Sequence, residues 1–180
     1  MTFSRRSSPA SRAANDSEAF EALFEQHWER LCRVLYSILG DWDEAEDLAL
    51  ETFVRFHRNP PADRERLGGW LYRVASNQAL NALRARQRRQ RYEEEAGHLA
   101  LDTHRAEDPA AIVEQDQERQ RARLALGMIK PRSAQMLILR HSGMSYAEIA
   151  GAVGVSPASV GALLRRAEAE FEQAFSKATG

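Results

Sequence analysis

SYAEIAGAVGVSPASVGALLRR, residues 145–166, decides how this chain is read. Ala147, Ile149, Ala150 and Val153 put small and apolar groups on one side of a short helix. Gly154 falls where the chain must turn, and glycine takes a positive φ without steric cost. Ser156 is placed to cap a second helix, with Pro157 in its first turn. Val160, Leu163 and Leu164 then point inward at helical spacing. Helix, glycine turn and capped helix make the pattern of a helix-turn-helix, whose second helix fits a DNA major groove. An ordinary helical hairpin packed in a core is the alternative.

Working outward, 180 residues allow one medium domain or two small ones. No run of eighteen apolar residues is present, so no membrane insertion is expected. Residues 1–15, MTFSRRSSPASRAAN, carry arginines with no apolar stretch behind them; they read as a disordered polar tail, not a secretory signal. The one cysteine, Cys32, excludes an internal disulfide and lies on the apolar side of a helical pattern. The five histidines form no metal-ligand constellation, and no phosphate loop or nucleophile elbow occurs. The sequence therefore calls for no metal, no cofactor and no catalytic residue.

The net charge of −1 conceals segregation. Residues 16–63 carry twelve acids against four Arg, and residues 64–91 carry eight Arg against one Glu. Residues 92–129 are acidic again, with nine acids against four Arg, and residues 130–180 are mildly basic, with six bases against four acids. A polyphosphate responds to the local field rather than to the total. Two basic blocks around an acidic one imply two nucleic-acid contacts and a separate surface for something else.

Helical periodicity dominates. Phe20, Leu23, Phe24, His27, Leu31, Val34, Leu35 and Ile38 recur at steps of three and four, in a helix capped by Asp16 or Ser17 and ended by Gly40. A second helix runs from about Asp43 to His57, with Ala45, Leu48, Ala49, Thr52, Phe53 and Phe56 on one side, and Asn59-Pro60-Pro61 stops it. A third starts near Leu67–Trp70 and continues into the arginine run. Glu93–Asp108 is acidic and aperiodic, a linker, with Asp108-Pro109 set to start the next helix. Four helices follow, at about 109–128, 131–142, 145–152 and 156–175. The expected fold is all-α. A tail, 1–15, precedes a three-to-four-helix domain, 16–92; a flexible acidic linker, 93–108, leads to a four-helix domain with the helix-turn-helix, 109–180.

Two further stretches carry chemistry. In WLYRVASNQALNALRARQRRQR, residues 70–91, Trp70, Leu71, Val74, Ala75, Ala79, Ala82 and Leu83 form an inward stripe. Arg73, Asn77, Asn81, Arg84 and Arg88 recur on another side. Arginine offers a permanent charge and a donor fork for phosphate, and asparagine offers the donor–acceptor pair that reads a base edge. A solvated helix surface with a basic end is the plainer reading. Yet five Arg lie within residues 84–91 without an acid, and they repel one another unless a polyanion is near. In DEAEDLALETFVRF, residues 43–56, Glu44, Glu46, Asp47 and Glu51 line the apolar stripe. Part of that charge serves the helix dipole, and the rest suits a basic protein partner rather than DNA.

These stretches carry a resemblance. Residues 43–56 resemble the DAEDLVQETF signature of the extracytoplasmic-function (ECF) group of RNA polymerase sigma factors. Residues 70–89 resemble the group's WLYRIAxNxAxDxLRRxxR signature. Residues 129–166 resemble LPxxxRxVLxLRxxxGLSYxEIAxxLGVxxGTVxSRLxRA. The three occur in the family's order, and the likeness covers about residues 18–175. It implies that 16–92 is sigma region 2 and 109–180 is sigma region 4, in a non-enzymatic, cytoplasmic transcription initiation factor. Glu46, Asp47, Leu50, Glu51 and Phe53 would then bind core RNA polymerase. Arg73, Asn77, Asn81, Arg84, Arg86, Arg88 and Arg89 would hold the minus-10 promoter element, with a flipped base lodged between the loop at His57–Gly69 and the third helix. Ser156, Pro157, Ser159, Arg165 and Arg166 would meet the minus-35 duplex. An anti-sigma factor is implied as a further partner. The chain departs from the family at Leu50, where Gln is usual, and at Gly161, Ala162 and Leu163, where Lys, Ser and Arg are usual. Gly and Ala offer no hydrogen bond to a base, so the minus-35 contact leans on phosphates, DNA shape or methyl groups. A sigma-like regulator of other sites, or an interaction protein that melts no promoter, is the alternative.

Overall fold

The structure is a computed structural model and describes residues 9–61, 67–95 and 111–179. Every regular element among them is helical: α1 (Pro9–Leu39), α2 (Trp42–Arg58), α3 (Leu67–Glu95), α4 (Ala111–Met128), α5 (Pro131–His141), α6 (Tyr146–Val153) and α7 (Pro157–Thr179). The all-α expectation holds. No single helix among the described residues is long and apolar enough to cross a membrane.

The first helix corrects the expected boundary. It begins at Pro9 rather than at Asp16 or Ser17, because proline suits a first turn and the alanines that follow are strong helix formers. Residues 1–8 of the expected tail lie outside the described residues, as do residues 96–110 of the expected linker, with Asp108 and Pro109. Gly40 ends α1 at φ 76°, and Asp41 caps α2 by accepting the Glu44 N–H at 2.9 Å.

Helices α1, α2 and α3 pack side by side. Leu31, Val34, Leu35 and Ile38 of α1 are fully buried with Ala45 and Ala49 of α2 and with Leu71, Ala75 and Ala79 of α3. Phe20, Phe24 and Trp28 surround the Phe53 ring, at centroid distances of 6.2, 4.8 and 6.2 Å. Cys32 is buried in this core as a free thiol, and burial pushes it up to about 11.

Helices α4 to α7 form the second group, with Met136, Leu139, Met144, Ile149, Val160 and Leu164 buried. The α6 start is a complete capping box: the Ser145 hydroxyl accepts the Glu148 N–H, and the Glu148 carboxylate accepts the Ser145 N–H at 2.7 Å. Gly154 closes α6 in the left-handed region at φ 69°, as its place in the sequence requires. The two groups share one continuous apolar cluster. The main shared element is α3, which packs against α1 and α2 on one side and against α4, α5 and α6 on another, while α1 also meets α5.

Candidate polymerase and nucleic-acid interfaces

Between its two packed sides, α3 leaves a lane open. Arg73, Asn77, Asn81 and Arg88 are exposed along it, at helical steps that keep them in line. Their backbone needs no help from those side chains, so the two asparagines are free to donate and accept. Arg84 stands at the edge of the lane and is half-buried. Its Nε and Nη2 donate to the Gly127 and Ile129 carbonyls at 3.2 and 3.1 Å. Burial first, and the Arg88 charge second, lower its affinity for a proton.

Two members of the expected DNA set lie elsewhere. Arg86 turns to the opposite side of α3, where it donates to the Leu39 carbonyl at 3.2 Å and pairs with the Glu44 carboxylate. It ties α3 to the α1–α2 corner and lies off the lane, still partly exposed. The physical reason is periodicity: two residues along a helix turn a side chain by about 200°. Arg89 is exposed, but about 100° of helical turn sets it off the lane from Arg88. The loop expected to complete a base pocket, His57–Gly69, includes residues 62–66, which lie outside the described residues.

On α2, Asp43, Asp47, Leu50, Glu51 and Val54 form an exposed stripe at steps of three and four. Leu50 is 52% exposed. Nearby, the exposed rings of Tyr36 and Trp42 meet edge to face at 5.5 Å, and the Trp42 indole donates to Glu46 at 2.8 Å. Glu51 accepts from Gln78 of α3 at 3.3 Å, which fixes the stripe relative to the lane. Phe53 corrects the expected polymerase set: it is 1% exposed, at the centre of the aromatic cluster. The sequence puts it both in the inward stripe and in the docking signature, and burial of so large a ring in the core decides between them. Val54, Tyr36 and Trp42 were absent from the expected set. The signal for Val54 was its spacing from Leu50.

On the helix-turn-helix, Ser156, Pro157, Ser159, Arg165 and Arg166 are all exposed, and Ala158 and Ala162 lie between them. The Ser156 and Ser159 hydroxyls face each other at 2.7 Å. Val160, Leu164 and Ala167 hold α7 from beneath. A Cβ on Gly161 would stand 3.5 Å from the Tyr146 ring, an ordinary contact, so the ring borders this position without occupying it. The Arg140 guanidinium lies 5.6 Å over the same ring. The outer side of α7 thus presents two arginines, two hydroxyls and methyl groups.

The described residues hold no group of three or more His, Cys, Asp or Glu suited to a metal ion.

Comparison with known proteins agrees with this layout. The family model Sigma-70 region 2 matches residues 23–89, and Sigma-70, region 4 matches residues 119–171. The chain is 31% identical over 166 residues to the ECF RNA polymerase sigma factor SigE of Mycolicibacterium smegmatis, covering 88% of this chain and 62% of that one. It is 31% identical over 179 residues to SigG of Mycobacterium tuberculosis, covering 85% and 48%. It is 26% identical over 163 residues to the sigma factor YlaC of Bacillus subtilis, covering 89% and 94%. The chain therefore spans 62% and 48% of the length of the first two. Among solved structures, the sigma factor RpoE, co-crystallised with the anti-sigma factor NepR from Bartonella quintana, shares the fold with a TM-score of 0.50 at 19% identity, covering 88% of this chain and 98% of that one. With both regional models matched in order and ECF sigma factors among its relatives, this chain belongs to the extracytoplasmic-function group of the sigma-70 family.

Proposed function

We propose that this chain is a cytoplasmic transcription initiation factor that binds core RNA polymerase, directs it to promoters and helps melt the minus-10 element. The open lane on α3 is the observation that carries this reading. It aligns two uncommitted asparagines with arginines on a rigid helix, which suits an unpaired strand held by its phosphates and read by its base edges. Extruding a base costs a few kcal/mol, and edge hydrogen bonds from Asn77 and Asn81 would offset part of it. The acidic and apolar stripe of α2, with Asp47, Leu50 and Glu51, is the docking surface for polymerase. Its carboxylates repel DNA, so polymerase and promoter occupy different sides of one small domain. Residues 16–92 act as the polymerase and minus-10 domain, and residues 109–180 as the minus-35 domain. Ser156, Ser159, Arg165 and Arg166 contact the minus-35 duplex mainly through phosphates, because the small residues between them offer methyl contacts only. An anti-sigma factor, as in the RpoE co-crystal, is the expected regulator.

Run-off transcription with purified core polymerase tests this. A promoter-dependent transcript that requires the chain is the expected result. Folded chain that yields none from any candidate promoter would remove the proposal. Asn77→Ala and Asn81→Ala should impair open-complex formation more than duplex binding. Equal loss in both assays would contradict the assignment to the unpaired strand.

A further inference from the structure

We propose that Tyr92 is a stacking platform at the far end of the α3 lane, where its ring takes a base of an unpaired strand whose phosphates Arg88 and Arg91 hold. The identity of that strand as promoter DNA rests on the function proposed above; the stacking does not.

Tyr92 is 68% exposed, more than any other large apolar side chain among the described residues. Its place on the helix gives that exposure a direction. At about 100° per residue, Arg73, Asn77, Arg88, Asn81 and Tyr92 fall in that order within an arc of about 100°. The ring therefore extends the edge that the two asparagines mark. Arg91 is exposed, and about five whole turns return it to the line of Arg73. Arg88, also exposed, stands one turn before the ring. An aromatic face is thus set beside two permanent cations on the open side of one helix. Three glutamates follow, Glu93 to Glu95. Their charge repels phosphate, so the lane ends at the ring.

Other exposed aromatics have partners. The Tyr36 and Trp42 rings meet each other, and the Tyr146 ring lies under the Arg140 guanidinium. Among the described residues Tyr92 meets no second ring, guanidinium or hydrogen-bond partner. The fold makes no use of it. A lone exposed ring on a surface is ordinary. A ring at the end of an arginine-lined lane is the arrangement that binds single strands: a basic track for the backbone and an aromatic face for a base.

The spacing fits a strand. From Asn81 to Tyr92 the helix rises about 16 Å, which about five stacked nucleotides cover at 3.4 Å each. From Arg73 the lane runs about 28 Å, or about eight nucleotides. Every base has a π-face, so stacking tolerates any sequence. Tyr92 therefore supplies affinity, and Asn77 and Asn81 supply base choice.

Binding of the full chain to fluorescein-labelled (dT)12, followed by anisotropy at low ionic strength, is the test. Tyr92→Ala should weaken binding by about 5-fold or more, the loss of one stacked base. Tyr92→Phe should stay within about 2-fold of wild type, since the ring and not the hydroxyl stacks. The salt slope should be unchanged in Tyr92→Ala, because a ring neutralises no phosphate, and should fall by about 0.7 in Arg91→Ala. Melting temperature should not move in any of these variants, because the substituted side chains are exposed. Tyr92→Trp adds a direct readout: (dT)12 should quench its emission beyond any quenching of the native Trp28, Trp42 and Trp70 in the wild type. No measurable wild-type binding, wild-type affinity in Tyr92→Ala, an equal loss in Tyr92→Phe, a lower salt slope in Tyr92→Ala, or no added quenching in Tyr92→Trp would each overturn the inference. If the Tyr92 effects appear while run-off transcription is absent, the platform stands and the initiation-factor reading falls. If the chain directs transcription and Tyr92→Ala binds (dT)12 like wild type, the platform falls and that reading stands.

Discussion

Phe53 and Leu50 are three residues apart in one signature and have opposite fates, which a pair of substitutions separates. Phe53→Ala removes a ring that is 1% exposed and lies 4.8 Å from Phe24, with Phe20 and Trp28 both at 6.2 Å. Truncation of a buried Phe costs about 3–5 kcal/mol in lost transfer energy and cavity. For a cooperative chain of this size each kcal/mol moves the melting point by about 2–4 °C, so a drop of about 6–20 °C is expected. Leu50→Ala touches a side chain that is 52% exposed and should change stability by no more than about 0.5 kcal/mol. Its effect belongs to the complex. Docking would bury the exposed half of the leucine, about 1–1.5 kcal/mol, which is about a 5- to 12-fold weaker Kd for core polymerase. Thermal melting by circular dichroism and titration of fluorescently labelled chain into core polymerase measure the two effects. An unchanged melting temperature for Phe53→Ala, or equal destabilisation by both substitutions, would refute the assignment of one residue to the core and the other to the interface.

Arg86→Ala should lower stability by about 1 kcal/mol through the lost Leu39 and Glu44 contacts, and leave the salt slope of single-strand binding untouched, whereas Arg88→Ala should reduce that slope by about 0.7. Burial, with the Arg30 charge second and Glu148 opposing, holds His27 below 6.5. The unfolded chain therefore binds this proton at higher pH than the folded one, and stability falls as pH drops from about 6.5 towards the folded value. His27→Gln should flatten that part of a denaturation series run against pH. Ser145→Ala removes half of the α6 capping box and should cost about 1 kcal/mol, read as faster hydrogen exchange across α6.

The helices were legible because their evidence is local. Leu31, Val34, Leu35 and Ile38 advertise a buried side by spacing alone, and Gly154 with its positive φ marks the turn. The sidedness of α2 was also legible, down to Ala45, Ala49, Thr52 and Phe56. What stayed hidden depends on distant partners. Nothing near Arg86 in the chain announces Glu44, 42 residues away, as its counter-ion. A basic run reads as one surface until helical turn divides it between solvent, core and neighbour. The second buried side of α3 was harder still. Gly69, Ser76 and Arg84 stand on it beside apolar residues, so hydrophobic periodicity marks it only in part. Gln135, a polar residue in an amphipathic helix, gave no sign of its burial.

Cys32 has a practical consequence. Sealed inside the first helix group, with burial pushing its thiol up to about 11, it stays protonated at neutral pH. A maleimide dye would therefore pass over it and modify an engineered surface cysteine instead. The unmodified background is chemically silent, ready for paired fluorophores or spin labels that measure the separation of the two halves during a transcription cycle.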